Sequence, residues 1–151
     1  MHTFWEELSR NKTFWVVISS GVCAQTMKII LGAIREKRFN FYWLLGTGGM
    51  PSSHSAAVTS FAICMGKEYG FYSPLFALGI LFALITMFDA QTWRRSIGFQ
   101  AKVLNRIVED LQKGREIKEN RLKELVGHTP VEVFLGALVG AIIASLFYPL
   151  K

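Results

Sequence analysis

An all-α, polytopic membrane helical bundle of about four spans, with a basic amphipathic helical hairpin, is the fold class this sequence predicts. Three observations carry that expectation. Phe14 to Ile34 is a run of 21 residues with one charge, Lys28, and Pro130 to Leu150 is another run of 21 with one charge, Glu132. A hydrocarbon core of about 30 Å takes roughly 20 apolar residues of helix, so two such runs in 151 residues argue against a soluble globular domain. Third, charge concentrates between Arg94 and Gly127, where nine residues are Lys or Arg and five are Asp or Glu. The length suits one domain, 1–151. A composition that is 51% hydrophobic and 19% charged excludes disordered and collagen-like chains. Cys23 and Cys64 both sit in apolar stretches and read as small hydrophobes, not as a disulfide or a metal site.

Taken in order, Met1 to Lys12 carries Trp5, Glu6 and Glu7 where a secretory leader would be basic, so it reads as an amphipathic lead-in to a first span at about 14–34. Phe39, Phe41, Tyr42 and Trp43 follow beside basic residues, as aromatics do at headgroup level. Gly46 to His54 is too rich in Gly, Pro and Ser to be helix interior. A second span at about 53–66 ends at Lys67-Glu68, and a third at about 73–90 opens on Pro74. Both are short and need thinning of the bilayer or shelter by neighbouring helices, with a re-entrant pair as the alternative. The hairpin, 94–127, has one arm with apolar Ile97, Ala101, Leu104, Ile107, Val108 and Leu111 at helical spacing. After a break at Lys113-Gly114, a second arm runs about Glu116 to Val126. It is either a solvated connector or a basic cap on anionic lipid. The fourth span is 130–150. No internal repeat is present, and nothing in the pattern suggests a nucleic-acid partner.

In an up-down-up-down bundle, four helix ends share one face: Lys28 and Arg35, His54, Asp89 with Arg94 and Arg95, and His128 with Glu132. Ionisable groups in membrane helices point to function. Cations, a Gly-rich turn and helix N-termini together make an anion site, best suited to phosphate. Structural roles are available for some of these residues. Thr129-x-x-Glu132 with Pro130 is a capping box. Asp89 is read as an ion-pair partner, and Lys37 and Arg38 as topology signals. Gly136 and Gly140, with Ala137, Ala141 and Ala144, are a small-xxx-small packing stripe.

Gly49-Met50-Pro51-Ser52-Ser53-His54 resembles the Pro-Ser-Gly-His motif of the type-2 phosphatidic acid phosphatase family, which includes the vanadium haloperoxidases. Lys28, six residues and then Arg35 matches the spacing of that family's first motif. His128-Thr129-Pro130-Val131-Glu132 resembles its third, where a His is followed four residues on by an Asp. The chain looks like the divergent branch of that family, over roughly Met27 to Gly140. It departs from the pattern at Glu36, where the family has Pro, and at Glu132, which replaces Asp. The third motif's Ser-Arg is missing and Arg121 lies one residue too far from His128; the role of that cation is assigned to Arg94, with Arg95 next.

The resemblance implies a lipid phosphatase acting through a phosphohistidine, with a membrane lipid phosphate as substrate. His128 would be the nucleophile, His54 the general acid and base, and Glu132 the orienting carboxylate. Lys28, Arg35, Ser53, Arg94, Arg95 and the backbone near Gly49 would hold the phosphoryl oxygens. No cofactor and no metal is expected, since the cations are already in the chain. The rival is a non-enzymatic binding or assembly protein on a degenerate phosphatase scaffold, and a homo-oligomer is left open. The face with the clustered helix ends holds 13 Lys and Arg against four on the other; without Lys28, Arg35, Arg94 and Arg95 it holds nine against four. Basic residues near spans favour the cytoplasm, so the site is expected at the cytoplasmic leaflet.

Overall fold

The computed structural model describes residues 3–37, 49–112 and 128–148, with the backbone alone at 93–95, 110 and 112. Among the described residues all regular structure is helical: α1 (Phe4–Arg10), α2 (Lys12–Glu36), α3 (Ser53–Tyr69), α4 (Pro74–Gln91), α5 (Trp93–Gln112) and α6 (Pro130–Phe147). The expected helical membrane bundle is what is observed. The aromatic stretch at 39–43, the glycines at 46 and 48, the second hairpin arm and Arg121 lie outside the described residues.

Helices α2, α3, α4 and α6 each open on a polar cap whose side chain accepts an otherwise orphaned backbone N–H. Asn11 accepts from Phe14 N at 2.9 Å, Ser52 from Ser55 N at 3.3 Å, Ser73 from Phe76 N at 3.2 Å and Thr129 from Glu132 N at 3.3 Å. Prolines 74 and 130 stand at the first helical position, where a missing N–H costs nothing. These caps set the helix starts, and α2 ends on Lys37 in the left-handed region, φ 51°.

Among the described residues, three stretches are long and apolar enough to cross a membrane: Lys12–Glu36, Pro74–Glu109 and Pro130–Phe147. The second of these runs through Thr92 into α5, so the first hairpin arm begins almost where the third span ends. Helix α3, with 17 residues, is shorter and more polar, yet it touches α2, α4 and α6. It also runs the full length of α6. At one end Ser52 N donates to Glu132 O at 3.0 Å, and at the other Lys67 Nζ donates to Tyr148 O. Shelter by neighbours, one of the two remedies open to a short span, is therefore what the fold provides.

Packing is small inside and large outside. Ala56, Ala62, Gly79, Ala83, Gly136, Gly140 and Ala144 are buried, whereas Leu78, Phe82, Ile85, Phe134, Leu138 and Ile142 face outward. Lipid tails are as apolar as a leucine, so helices gain by close approach rather than by hiding large side chains. The closest approach is between α3 and α6. A Cβ at Gly136 would overlap the Ser52 carbonyl oxygen, and one at Gly140 would overlap that of Ala56. The small-residue stripe read from the sequence is thus the α3–α6 contact.

Helix α5 touches α4, and its buried positions are Gly98, Ala101 and Asn105. Most of its apolar stripe faces away from the bundle: Ile97, Leu104, Ile107 and Leu111 are exposed.

Gly140→Leu should separate α3 from α6. We expect a loss of about 1–3 kcal/mol, the usual cost of overpacking, read as a lower thermal midpoint of the detergent-solubilised protein. Leu138→Ile, on the outward face, should leave the midpoint unchanged; a Gly140→Leu midpoint equal to wild type would show that the contact is not tight.

Candidate active site

The site is assembled from two helix starts and one helix end. Gly49 has φ 88°, which L side chains rarely adopt. Its lack of a side chain also leaves room for Lys28, whose Cδ would lie 3.3 Å from an added Cβ. Met50-Pro51 is a cis peptide bond that leads into Ser52, the cap of α3. Ser53 and His54 are the first two residues of that helix, and His54 is exposed.

His128 precedes the cap of α6 and is buried, its side chain 2% exposed. Its backbone N–H donates to Ala90 O at 3.0 Å, which ties it to the end of α4. Its ring Nδ1 lies 3.0 Å from Glu132 Oε2. An ionised carboxylate only accepts hydrogen bonds, so this contact suits a proton on Nδ1, and a neutral ring with that tautomer has its lone pair on Nε2. The same Oε2 accepts from Thr129 N at 3.1 Å, which completes the capping box. The two roles that the sequence allows for Glu132 are therefore both present, on one atom.

The rings of His54 and His128 lie near each other, with centroids 6.4 Å apart and planes tilted by 58°. Lys28 is buried in α2, and Glu132 exerts a coulombic influence on it. A cation in a hydrocarbon slab is tolerated only where protein surrounds it and a counter-charge is within reach. Arg35 is on the last turn of α2 and exposed. Arg94 and Arg95 lie in the first turn of α5, and their side chains are outside the described residues. The structure thus gathers Lys28, Gly49, His54, His128 and Glu132 at one end of the bundle, with Ser53 at the start of α3. Among the described residues no three His, Cys, Asp or Glu side chains cluster as a metal site would.

Two supports escape a reading of the sequence. The Ala90 carbonyl that holds His128 is a backbone atom with no residue signal. Ser52, fully buried, fixes the histidine loop through both its hydroxyl and its N–H; its place in the Pro-Ser-Ser-His run is the signal that could have found it. One turn on, the Ser55 hydroxyl is buried and has no hydrogen-bond partner among the described residues.

Chemically, the arrangement offers a buried imidazole held by a carboxylate, an exposed imidazole near it, and a buried cation beside a glycine turn. The family model described as "Divergent PAP2 family" matches residues 9–143. A protein of Bacillus subtilis (strain 168), described as "Uncharacterized membrane protein YuiD", is 38% identical over 148 residues, covering 91% of this chain and 94% of its own. No solved structure matches.

Replacing Glu132 separates its two tasks. Glu132→Ala should lose the cap and lower stability by about 1 kcal/mol, whereas Glu132→Gln keeps an acceptor for Thr129 N and should lose less. Thermal denaturation of both variants checks this. Equal losses would mean that the charge, not the cap, supports the helix start.

Proposed function

Since the chain belongs to the divergent PAP2 family and is a multi-pass membrane protein, we propose that it hydrolyses a lipid phosphomonoester or diphosphate through a phosphohistidine on His128. The observation that carries this reading is the pairing of His128 Nδ1 with Glu132 at 3.0 Å, with the His54 ring near it. A proton held on Nδ1 leaves Nε2 as the nucleophile.

In the first step His128 Nε2 attacks phosphorus, the bond from phosphorus to the lipid oxygen breaks, and protonated His54 gives that oxygen its proton. In the second step His54 takes a proton from water as the water oxygen attacks phosphorus. The N–P bond breaks, inorganic phosphate leaves, and both histidines return to their starting forms. Glu132 steadies the positive charge that His128 acquires while phosphorylated. Lys28, Arg35, Ser53, Arg94, Arg95 and the backbone N–H groups near Gly49 and Ser53 bind the phosphoryl oxygens. Positioning and charge stabilisation are most of what phosphoryl transfer demands. A buried His128 and an exposed His54 suit a fixed nucleophile and an acid and base that exchanges protons with water.

The excess of Lys and Arg on the site's face supports the cytoplasmic leaflet. The substrate is then a lipid phosphate made there, such as phosphatidylglycerophosphate or an isoprenoid phosphate.

Phosphate release from a panel of lipid phosphates by the purified protein tests the reaction. His128→Ala should abolish it, a loss of about 10³-fold or more, while the variant stays folded. His54→Ala should lose about 10²- to 10⁴-fold, the usual share of a general acid, and accumulate labelled phosphohistidine from a good leaving group. Activity should persist in EDTA and fall with orthovanadate, which mimics five-coordinate phosphorus. Normal turnover by His128→Ala rules the mechanism out.

Orientation is tested by labelling in a background without Cys23 and Cys64. Lys151→Cys should react with an impermeant thiol reagent in intact cells and Lys113→Cys should not. The reverse pattern puts the site on the outer leaflet and makes an isoprenoid diphosphate the substrate.

A further inference from the structure

At the end of the bundle away from the histidines, a cavity of about 690 Å³ opens between the α1–α2 junction and the last turns of α3. That volume is typical of small-molecule sites, about 300–1,000 Å³. Its mouth is charged in both senses, with Arg10 and Lys12 beside Glu7 and Glu68. Its walls are apolar: Phe14 and Val17 from α2, Phe61 and Met65 from α3. From Glu68 back to Phe61 is seven residues of helix, about 10 Å along the axis, so the charged mouth and the apolar wall are separated along α3.

Two of the mouth charges are held in place. Glu68 Oε2 accepts from Thr13 Oγ1 at 2.9 Å and from Tyr148 Oη at 3.2 Å. Lys12 Nζ sits 4.3 Å above the centroid of the Tyr148 ring, a cation–π distance. Exposed Tyr69 lines the same mouth, and aromatic rings beside charges suit a headgroup zone.

We infer that this cavity seats a zwitterionic aminophospholipid from the leaflet opposite the histidine site. The lipid phosphate meets Arg10 and Lys12, the primary ammonium meets Glu7 and Glu68, and the start of an acyl chain lies along Phe14, Val17, Phe61 and Met65. A charged mouth above an apolar wall about 10 Å deep has the shape of an amphiphile. Balanced charge selects the headgroup: an anionic lipid would pair its phosphate with Arg10 and Lys12 but bring no cation to Glu7 and Glu68. A choline headgroup has no N–H to donate to those carboxylates. The inference is independent of the phosphatase reading, since no residue of the histidine site lines this cavity.

Native mass spectrometry of the detergent-purified protein tests it, with phosphatidylethanolamine, phosphatidylcholine and phosphatidylglycerol of matched chains. Phosphatidylethanolamine should be retained about fivefold over each of the others, the worth of one exposed charge pair. Joint Glu7→Gln and Glu68→Gln replacement should reduce it to the level of phosphatidylcholine. Because Glu68 also bridges Thr13 and Tyr148, Val17→Trp gives a second route: it fills the cavity without touching a charge and should abolish the preference while circular dichroism stays helical. Equal retention of the three lipids, stronger retention of phosphatidylglycerol, or an undiminished preference in Val17→Trp overturns the inference. Phosphate release is a separate measurement, so a failure there leaves this result interpretable.

Discussion

The distance between the backbones of α3 and α6 is the constraint on which the rest depends. Gly136 and Gly140 let α6 lie against the carbonyls of Ser52 and Ala56. Only at that distance can Ser52 N reach Glu132 O. That bond joins the loop ahead of His54 to the first turn of the helix that orients His128. Neither histidine is placed by a large hydrophobic core. They are placed by two helix starts brought together because two side chains are absent.

The same economy explains how a chain of 151 residues encloses polar groups in an apolar slab. Large residues face outward, where they match the lipid, and the interior is mostly Gly, Ala and Ser, with Val16, Val58, Cys64 and Val133 among them. Backbone polar groups at the helix starts are met by caps, by the Ala90 carbonyl and by the Glu132 carbonyl. Hydrocarbon supplies no hydrogen bonds, so such partners must come from the protein. Helix α3 can be short and hydroxyl-rich because α2, α4 and α6 surround it.

Much of this was legible in the residues. The spans at 14–34 and 130–150 lie within the observed Lys12–Glu36 run and cover all of Pro130–Phe147. His128 and Glu132, four apart, were readable as neighbours, and Thr129 with Pro130 as the helix start, although His128 lies just before the cap rather than on a helix face. The glycine stripe was readable as packing, though not which helix it would meet. Hydropathy could not rank α3 as the central helix, because its burial is against other helices and its small residues lower its apolar score. The hairpin's first arm was readable as amphipathic, but Ala101 packs inward while Ile97, Leu104, Ile107 and Leu111 face out. Helix contact selected the small residues Gly98 and Ala101, not the oily stripe. The Ala90 carbonyl carries no residue signature, and with Arg94 and Arg95 the sequence offers two adjacent cations of equal chemistry.

Glu132 Oε2 serves both the Thr129 amide and the His128 ring, and this makes the site's order inseparable from that of its helix. A side chain that only held a histidine could swing away and leave the scaffold intact. Here the same swing would also release the backbone N–H of the cap residue Thr129, so ring orientation and helix capping share one carboxylate oxygen. His128 itself lies in the loop just before the α6 cap, so its imidazole is tied to the start of that helix through a single carboxylate.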